Sequence, residues 1–325
     1  MPLPSRGGSP ANGCLLSLSG MNVISCARLT KRFGGTVAVS ELDLEVGRGQ
    51  VYGFLGPNGA GKTTTIRMLL GLIGPTSGQI RLLGRPMPDP QAVRLTGSMI
   101  EEPAFYPWLT GSQNLQVSTW SGGARGGREV SRVLNATGLS EVADRKVRTY
   151  SQGMRQRLGL AAAMLGRPPL MIIDEPTNGL DPPGIREIRG LLGELASDGT
   201  TVFMSSHLLA EVEQVCDRVA VIVRGRLVEE GPPARLGTAR RRVRVRVAET
   251  DAESAFRLLS RWALQAGSRT RDGEFVVEHD SGRDVNAALA AGGVIAESVT
   301  VELPRLEDRF MEIVGEDAHA VAAGG

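Results

Sequence analysis

Cysteine is scarce in this chain: Cys14, Cys26 and Cys216 are the only three in 325 residues. Widely spaced and odd in number, they exclude a disulfide framework, offer no metal cluster and fit reduced thiols in a cytoplasm. An excess of one charge is also missing. With 37 basic against 35 acidic side chains the formal net charge is +2, so no global field would hold the protein on nucleic acid. No stretch reaches the roughly eighteen apolar residues that a membrane-spanning helix needs. The opening residues, with Gly7, Gly8, Pro10 and Asn12, lack the apolar core of a secretory signal, which predicts a chain soluble on its own. Residues 1–20, rich in Gly, Ser and Pro, predict a disordered leader, with Met21 a candidate for the true start. Aromatics are only 4% of the chain, which makes Phe105, Tyr106 and Trp108, three within four positions, stand out.

What is present is a phosphate cradle. Gly56-Pro57-Asn58-Gly59-Ala60-Gly61-Lys62-Thr63 follows the apolar run Val51 to Leu55 and precedes the periodic stretch from Thr64 to Leu72, where a strand gives way to a helix. Glycines let consecutive N–H groups point at one anion. Lys62 then adds a point charge for the β- and γ-phosphates, and the Thr63 hydroxyl suits Mg²⁺ at the positive end of the helix. A nucleoside triphosphate is the expected ligand.

Downstream, strand-like and helix-like stretches alternate, which predicts an α/β core with a mainly parallel sheet. Leu170-Met171-Ile172-Ile173 reads as a strand buried on both faces, with Asp174-Glu175 at its carboxyl end, where α/β sheets bind ligands. Asp174 suits the magnesium shell, and Glu175 can polarise an attacking water. Tyr150-Ser151-Gln152-Gly153-Met154 precedes an Ala- and Leu-rich helix; Ser151 and Gly153 there serve either as a cap or as a second anion site.

As a set, these motifs resemble the nucleotide-binding subunit of an ABC transporter over residues 22–230. The resemblance makes 56–63 Walker A with Thr64 beside it, 150–154 a variant of the LSGGQ signature, and 170–175 Walker B with Glu175 catalytic. It makes Asn178-Gly179-Leu180-Asp181 the D-loop, His207 the switch histidine and Phe33 the aromatic that stacks on adenine. It implies a P-loop fold with a RecA-like core sheet, an antiparallel β subdomain and a helical subdomain at about residues 101–160. It also implies ATP and Mg²⁺ as ligands, and two subunits head to tail, with Ser151 and Gly153 of one facing the γ-phosphate held by Lys62 of the other. A separately encoded permease would place the pair on the cytoplasmic face of a bacterial membrane.

Where the family carries a Q-loop glutamine this chain has Glu101, a carboxylate suited to the magnesium shell. In this it is similar to the bacitracin-resistance and lantibiotic-immunity branch, as is the following Phe105-Tyr106-Pro107-Trp108-Leu109-Thr110. The three aromatics are read as permease contacts, with a local core as the other reading. Charge reversal at Glu102 is expected to disturb the same contact.

Gly231-Pro232-Pro233 marks a boundary, and residues 231–325 read as a small α+β unit. Val243, Val245 and Val247 alternate with Arg242, Arg244 and Arg246, a strand with one basic face for solvent or for anionic headgroups, extended by Arg240 and Arg241. Helices at 252–264, 285–291 and 306–314 and strands at 275–278 and 299–303 complete it. Pro304 to Phe310 resembles the tail of daunorubicin-resistance ATPases, which favours export of an antibiotic, peptide or other amphipathic compound. Two other uses stay open: a regulator acting through a membrane partner, and a cassette working on the ribosome or DNA.

Overall fold

Two long strands, β1 (Ile24–Phe33) and β2 (Thr36–Val46), pair antiparallel around the turn Gly34-Gly35. The computed structural model describes residues 22–101, 103–122, 126–236, 242–260 and 273–302. The leader, Met21, Cys14, Glu102, Arg240, Arg241 and the 306–314 helix lie outside the described residues, as does the tail that resembles daunorubicin-resistance ATPases. The wholly buried β3 (Val51–Leu55) leads through the glycine loop into α1 (Lys62–Leu69). β4 (Ser77–Leu82) and the short β5 (Arg85–Pro86) complete an antiparallel sheet of order β2-β1-β4-β5.

Next come α2 (Pro90–Arg94) and β6 (Thr96–Met99), then the helices α3 (Gly111–Gly122), α4 (Gly126–Ala136) and α5 (Gln152–Ala163). The chain returns to the sheet through β7 (Leu170–Asp174), α6 (Pro182–Ser197), β8 (Thr201–Ser206), α7 (Leu209–Val215), β9 (Arg218–Val223) and β10 (Arg226–Gly231). The central sheet runs β10-β9-β3-β8-β7-β6, parallel except for β10 at one edge.

Period-two geometry explains why its strands are continuously apolar. Val51, Leu55, Met171 and Ile173 point to the face covered by α5, α6 and α7, while Tyr52, Phe54, Leu170 and Ile172 point to the face shared with β1 and β2. Phe203 stacks with Tyr52 at 5.8 Å between ring centroids. Each such fully buried large side chain is worth roughly 1.5–3 kcal/mol against exposure. Pairing Leu55 with Ser206 and Asp174 with Ser205 brings the ends of β3, β7 and β8 to one edge of the sheet. Burial pushes the Cys26 and Cys216 thiols up to about 12, so both are inert at neutral pH.

Leu236, beyond Gly231-Pro232-Pro233, is still buried against this core. The remaining residues form a second antiparallel sheet, order β12-β11-β13, from β11 (Arg242–Val247), α8 (Ala252–Leu259), β12 (Glu274–Glu278), α9 (Gly282–Ala291) and β13 (Ala296–Glu302). Val243, Val245 and Val247 fill a core of their own with Phe275 and Leu289. The basic face of β11 is charge-paired: Arg244 bridges Glu274 on β12 at 2.8 Å and Glu302 on β13 at 2.6 Å. That pairing favours the solvated strand face over a headgroup surface.

Candidate active site

The cradle forms because β3 ends against a loop that only small residues can thread. At Gly61 φ is 102°, and a Cβ there would lie 2.5 Å from the Ala38 carbonyl oxygen, so conformation and space both demand glycine. α1 starts at this residue with no side-chain cap, which leaves its first N–H groups to an anion. Pro57, Asn58, Gly59, Ala60, Thr63 and Thr64 line a cleft of about 440 Å³, joined by Lys62, Glu175, Asn178 and His207. Gly56 sits behind the lining, pressed against Ile222. Lys62 is 7% exposed; its Nζ donates to the carbonyls of Gly56 at 2.7 Å and Pro57 at 3.3 Å and stands 3.3 Å from Glu175 Oε1.

Opposite, the end of β7 supplies two carboxylates with different surroundings. Asp174 is buried, accepting from Thr63 Oγ1 at 2.8 Å on Oδ2 and from Ser205 Oγ on Oδ1. Glu175 turns the chain with φ 50°, its N–H donating to Ser205 Oγ at 3.0 Å. Its Oε2 meets His207 Nδ1 at 2.6 Å. Thr63, Asp174 and Glu101 share a second cleft of about 310 Å³ with Gln152 and Arg155, an oxygen-rich set of the kind hard divalent cations take. Glu101, just past β6, is ion-paired with Arg67 of α1.

The remaining expected site residues line neither cleft. Ser151 caps α5, accepting from Met154 N–H at 3.2 Å, and Asp181 caps α6, accepting from Gly184 N–H at 3.1 Å. The two loops pack together in one chain: Leu180 lies against Gly153, and Gly179, at φ 75°, leaves no space for a Cβ beside Gln152. Tyr150 anchors this region from below through a 2.7 Å bond from its hydroxyl to the Val142 carbonyl. Phe33 is no core residue: it is 53% exposed at the end of β1, with Lys31 Nζ 5.0 Å above its ring. The aromatic trio divides. Phe105 packs on the core, whereas Tyr106 and Trp108 are 50% and 64% exposed with centroids 5.6 Å apart.

Several site residues escape sequence reasoning. Ser205 Oγ donates to the Asp174 carboxylate and accepts from the Glu175 N–H, and Gln156 donates from Nε2 to the carbonyls of Glu175 and Pro176, tying α5 to the end of β7. A polar residue inside an otherwise apolar segment is their one signal, and nothing local points to Arg67; Asn178, which opens the D-loop motif, lines both clefts.

Comparison with known proteins identifies the family. Residues 39–178 match the family model described as ABC transporter. Over 299 residues the chain is 40% identical to the bacitracin transport ATP-binding protein BcrA of Bacillus licheniformis, covering 90% of this chain and 97% of that one. It is 41% identical over 249 residues to the daunorubicin/doxorubicin resistance ATP-binding protein DrrA of Streptomyces peucetius, covering 73% and 74%. Among solved structures, cbiO1 from Clostridium perfringens, part of the transporter complex cbiONQ, superposes with a TM-score of 0.61 at 25% identity, over 74% of this chain and 97% of that one. The chain belongs to the ABC transporter family, as one of its ATP-binding subunits.

Proposed function

We propose that this chain hydrolyses ATP to drive export of an antibiotic, peptide or other amphipathic compound through a separately encoded permease. The observation that carries the chemistry is the Glu175 carboxylate held between Lys62 Nζ at 3.3 Å and His207 Nδ1 at 2.6 Å, at the mouth of the cradle. Lys62 and the N–H groups of Gly59 to Thr63 take the phosphates, with Thr64 beside them and Phe33 under the adenine. Glu175 polarises the water and His207 keeps it in line, so that placed charge rather than covalent chemistry lowers the barrier. Thr63 Oγ1, Asp174 and Glu101 fit Mg²⁺, which when bound neutralises phosphate charge. The names and full-length likeness of the bacitracin and daunorubicin relatives support the cargo class and the direction.

One copy does not complete a site in this reading. Ser151, Gly153 and Asp181 lie outside the clefts of their own chain, as a head-to-tail pair requires if they serve a second copy's phosphates. Tyr106 and Trp108 offer exposed rings to the permease. Among the described residues no helix is long and apolar enough to cross a membrane, so attachment to the membrane comes from that partner. The domain reading is a cassette over residues 21–230 and an accessory unit over 231–325 built on the β12-β11-β13 sheet; the burial of Leu236 against the cassette core supports carrying that boundary a few residues further.

The test is reconstitution of the chain with its co-purifying membrane protein in vesicles. ATP-driven efflux of an amphipathic antibiotic, lost in Lys62→Ala, is the expected result. Turnover coupled to the membrane partner without flux would mean regulation, and co-purification with ribosomes or DNA alone would overturn the transport reading.

A further inference from the structure

Arg67 belongs to none of the motifs, yet it reaches the metal side of the site. It stands four residues after Thr63 on α1, so both side chains lie on one helix face. Its Nη2 donates to Glu101 Oε1. Glu101 lines the same cleft as Thr63 and Asp174, and its backbone is in the left-handed region at φ 59°, which a glutamate adopts only where its surroundings hold it.

We propose that Arg67 is a positioning residue that competes with the divalent cation for the Glu101 carboxylate and so weakens metal binding with nucleotide. This rests on the reading of Glu101 as a metal ligand. A guanidinium and a cation drawn to one carboxylate oppose each other in two ways: the guanidinium occupies an oxygen lone pair, and its charge repels the cation. Both effects have the same sign. The pair is 43% and 59% exposed, so solvent screening keeps the effect modest.

The experiment measures Mn²⁺ binding to the full-length chain with a non-hydrolysable ATP analogue, by the electron spin resonance signal of free Mn²⁺. Arg67→Gln is expected to tighten Mn²⁺ binding about threefold, a size in keeping with a half-exposed pair. Arg67→Lys, which keeps the charge, should stay near wild type, and Glu101→Gln should weaken binding. Arg67→Gln added to Glu101→Gln should then change nothing further. Unchanged or weaker binding in Arg67→Gln, or tightening that persists without Glu101, overturns the inference while leaving Glu101 as ligand. Wild-type affinity in Glu101→Gln instead removes Glu101 from the metal shell, and the inference falls with it. Analogue affinity measured without metal should be the same in wild type and Arg67→Gln; a loss there would make Arg67 a structural support instead.

Discussion

Glu175 Oε2 meets His207 Nδ1 at 2.6 Å, although 32 positions separate them in the chain. The other oxygen faces Lys62, so one carboxylate is shared by the proposed phosphate-binding charge and the proposed switch histidine. Glu175→Gln keeps the shape and removes the charge. Turnover should fall about 10²–10⁴-fold, as expected for loss of a general base. ATP affinity should rise, because Lys62 no longer divides its charge between phosphate and carboxylate. Phosphate release and fluorescent-nucleotide titration check both halves; turnover near wild type would assign the base elsewhere.

Gly61 carries a prediction about the cradle itself. With φ at 102° and the Ala38 carbonyl 2.5 Å from where a Cβ would stand, Gly61→Ala forces the loop to move. Nucleotide binding should be lost, and thermal unfolding should show a cost of about 1 kcal/mol or more. At Gly59, also at positive φ but facing open space, alanine should be milder in both assays.

The contrast between these glycines shows what was legible in advance. Phosphate binding demands fixed residue types at fixed spacing, so Lys62 and Thr63 could be read in one dimension; Asp174 and Glu175 stood out at the end of an apolar run, and His207 only through the family resemblance. The alternating valines of β11 were equally plain, since period two survives without tertiary information. Ser205, Gln156 and Arg67 were not, because their partners lie 31, 19 and 34 positions away and only the parallel sheet of β3, β8, β7 and β6, with α1 and α5 placed by it, unites them. The aromatic run lacks a period, so nothing in it separated Phe105, turned to the core, from exposed Tyr106 and Trp108.

Glu129 gives the fold a pH signature away from the site. It accepts from Arg132 Nη2 at 2.6 Å and from the Gly166 N–H at 3.1 Å. The bonds from Arg132, first among several causes, hold its carboxyl below the ordinary 4.5. A folded value below the unfolded one adds stability above the unfolded value, and that stability is lost as pH falls through the folded one. Between about pH 5.5 and about pH 3.5, Glu129→Gln should therefore lose less stability than wild type, with a gap of about 1 kcal/mol for a single partly buried pair. Denaturant midpoints at the two ends measure it, and parallel curves would show that the pair contributes nothing.

Trp108 tests the permease contact. Its ring is 64% exposed and leans on Tyr106, so Trp108→Ala removes apolar surface without opening the core. The isolated chain should keep its melting temperature and basal ATP hydrolysis, while stimulation by the membrane partner drops about tenfold, the loss expected for an aromatic anchor. Full stimulation would move the contact to another surface, whereas a lower melting temperature would mean that the ring packs within the fold.

Ser151 must be separated into two roles. Its Oγ caps α5 through the Met154 N–H, and the proposed pairing gives it a second task, touching the phosphate of another copy. Ser151→Ala removes both, so a loss of about 1 kcal/mol in stability would accompany any loss of turnover and explain neither alone. Ser151→Asp divides them. Aspartate caps a helix as well as serine does and also favours the positive end of the helix dipole, so the melting temperature should hold. A carboxylate pressed on a phosphate repels it, so turnover and nucleotide-driven dimerisation should collapse while each monomer still binds ATP through its own Lys62. Light scattering with and without ATP, in a Glu175→Gln background that prevents hydrolysis, reads the dimer directly. A Ser151→Asp protein that still paired on ATP would confine Ser151 to capping, and the head-to-tail arrangement would have to be built on other residues.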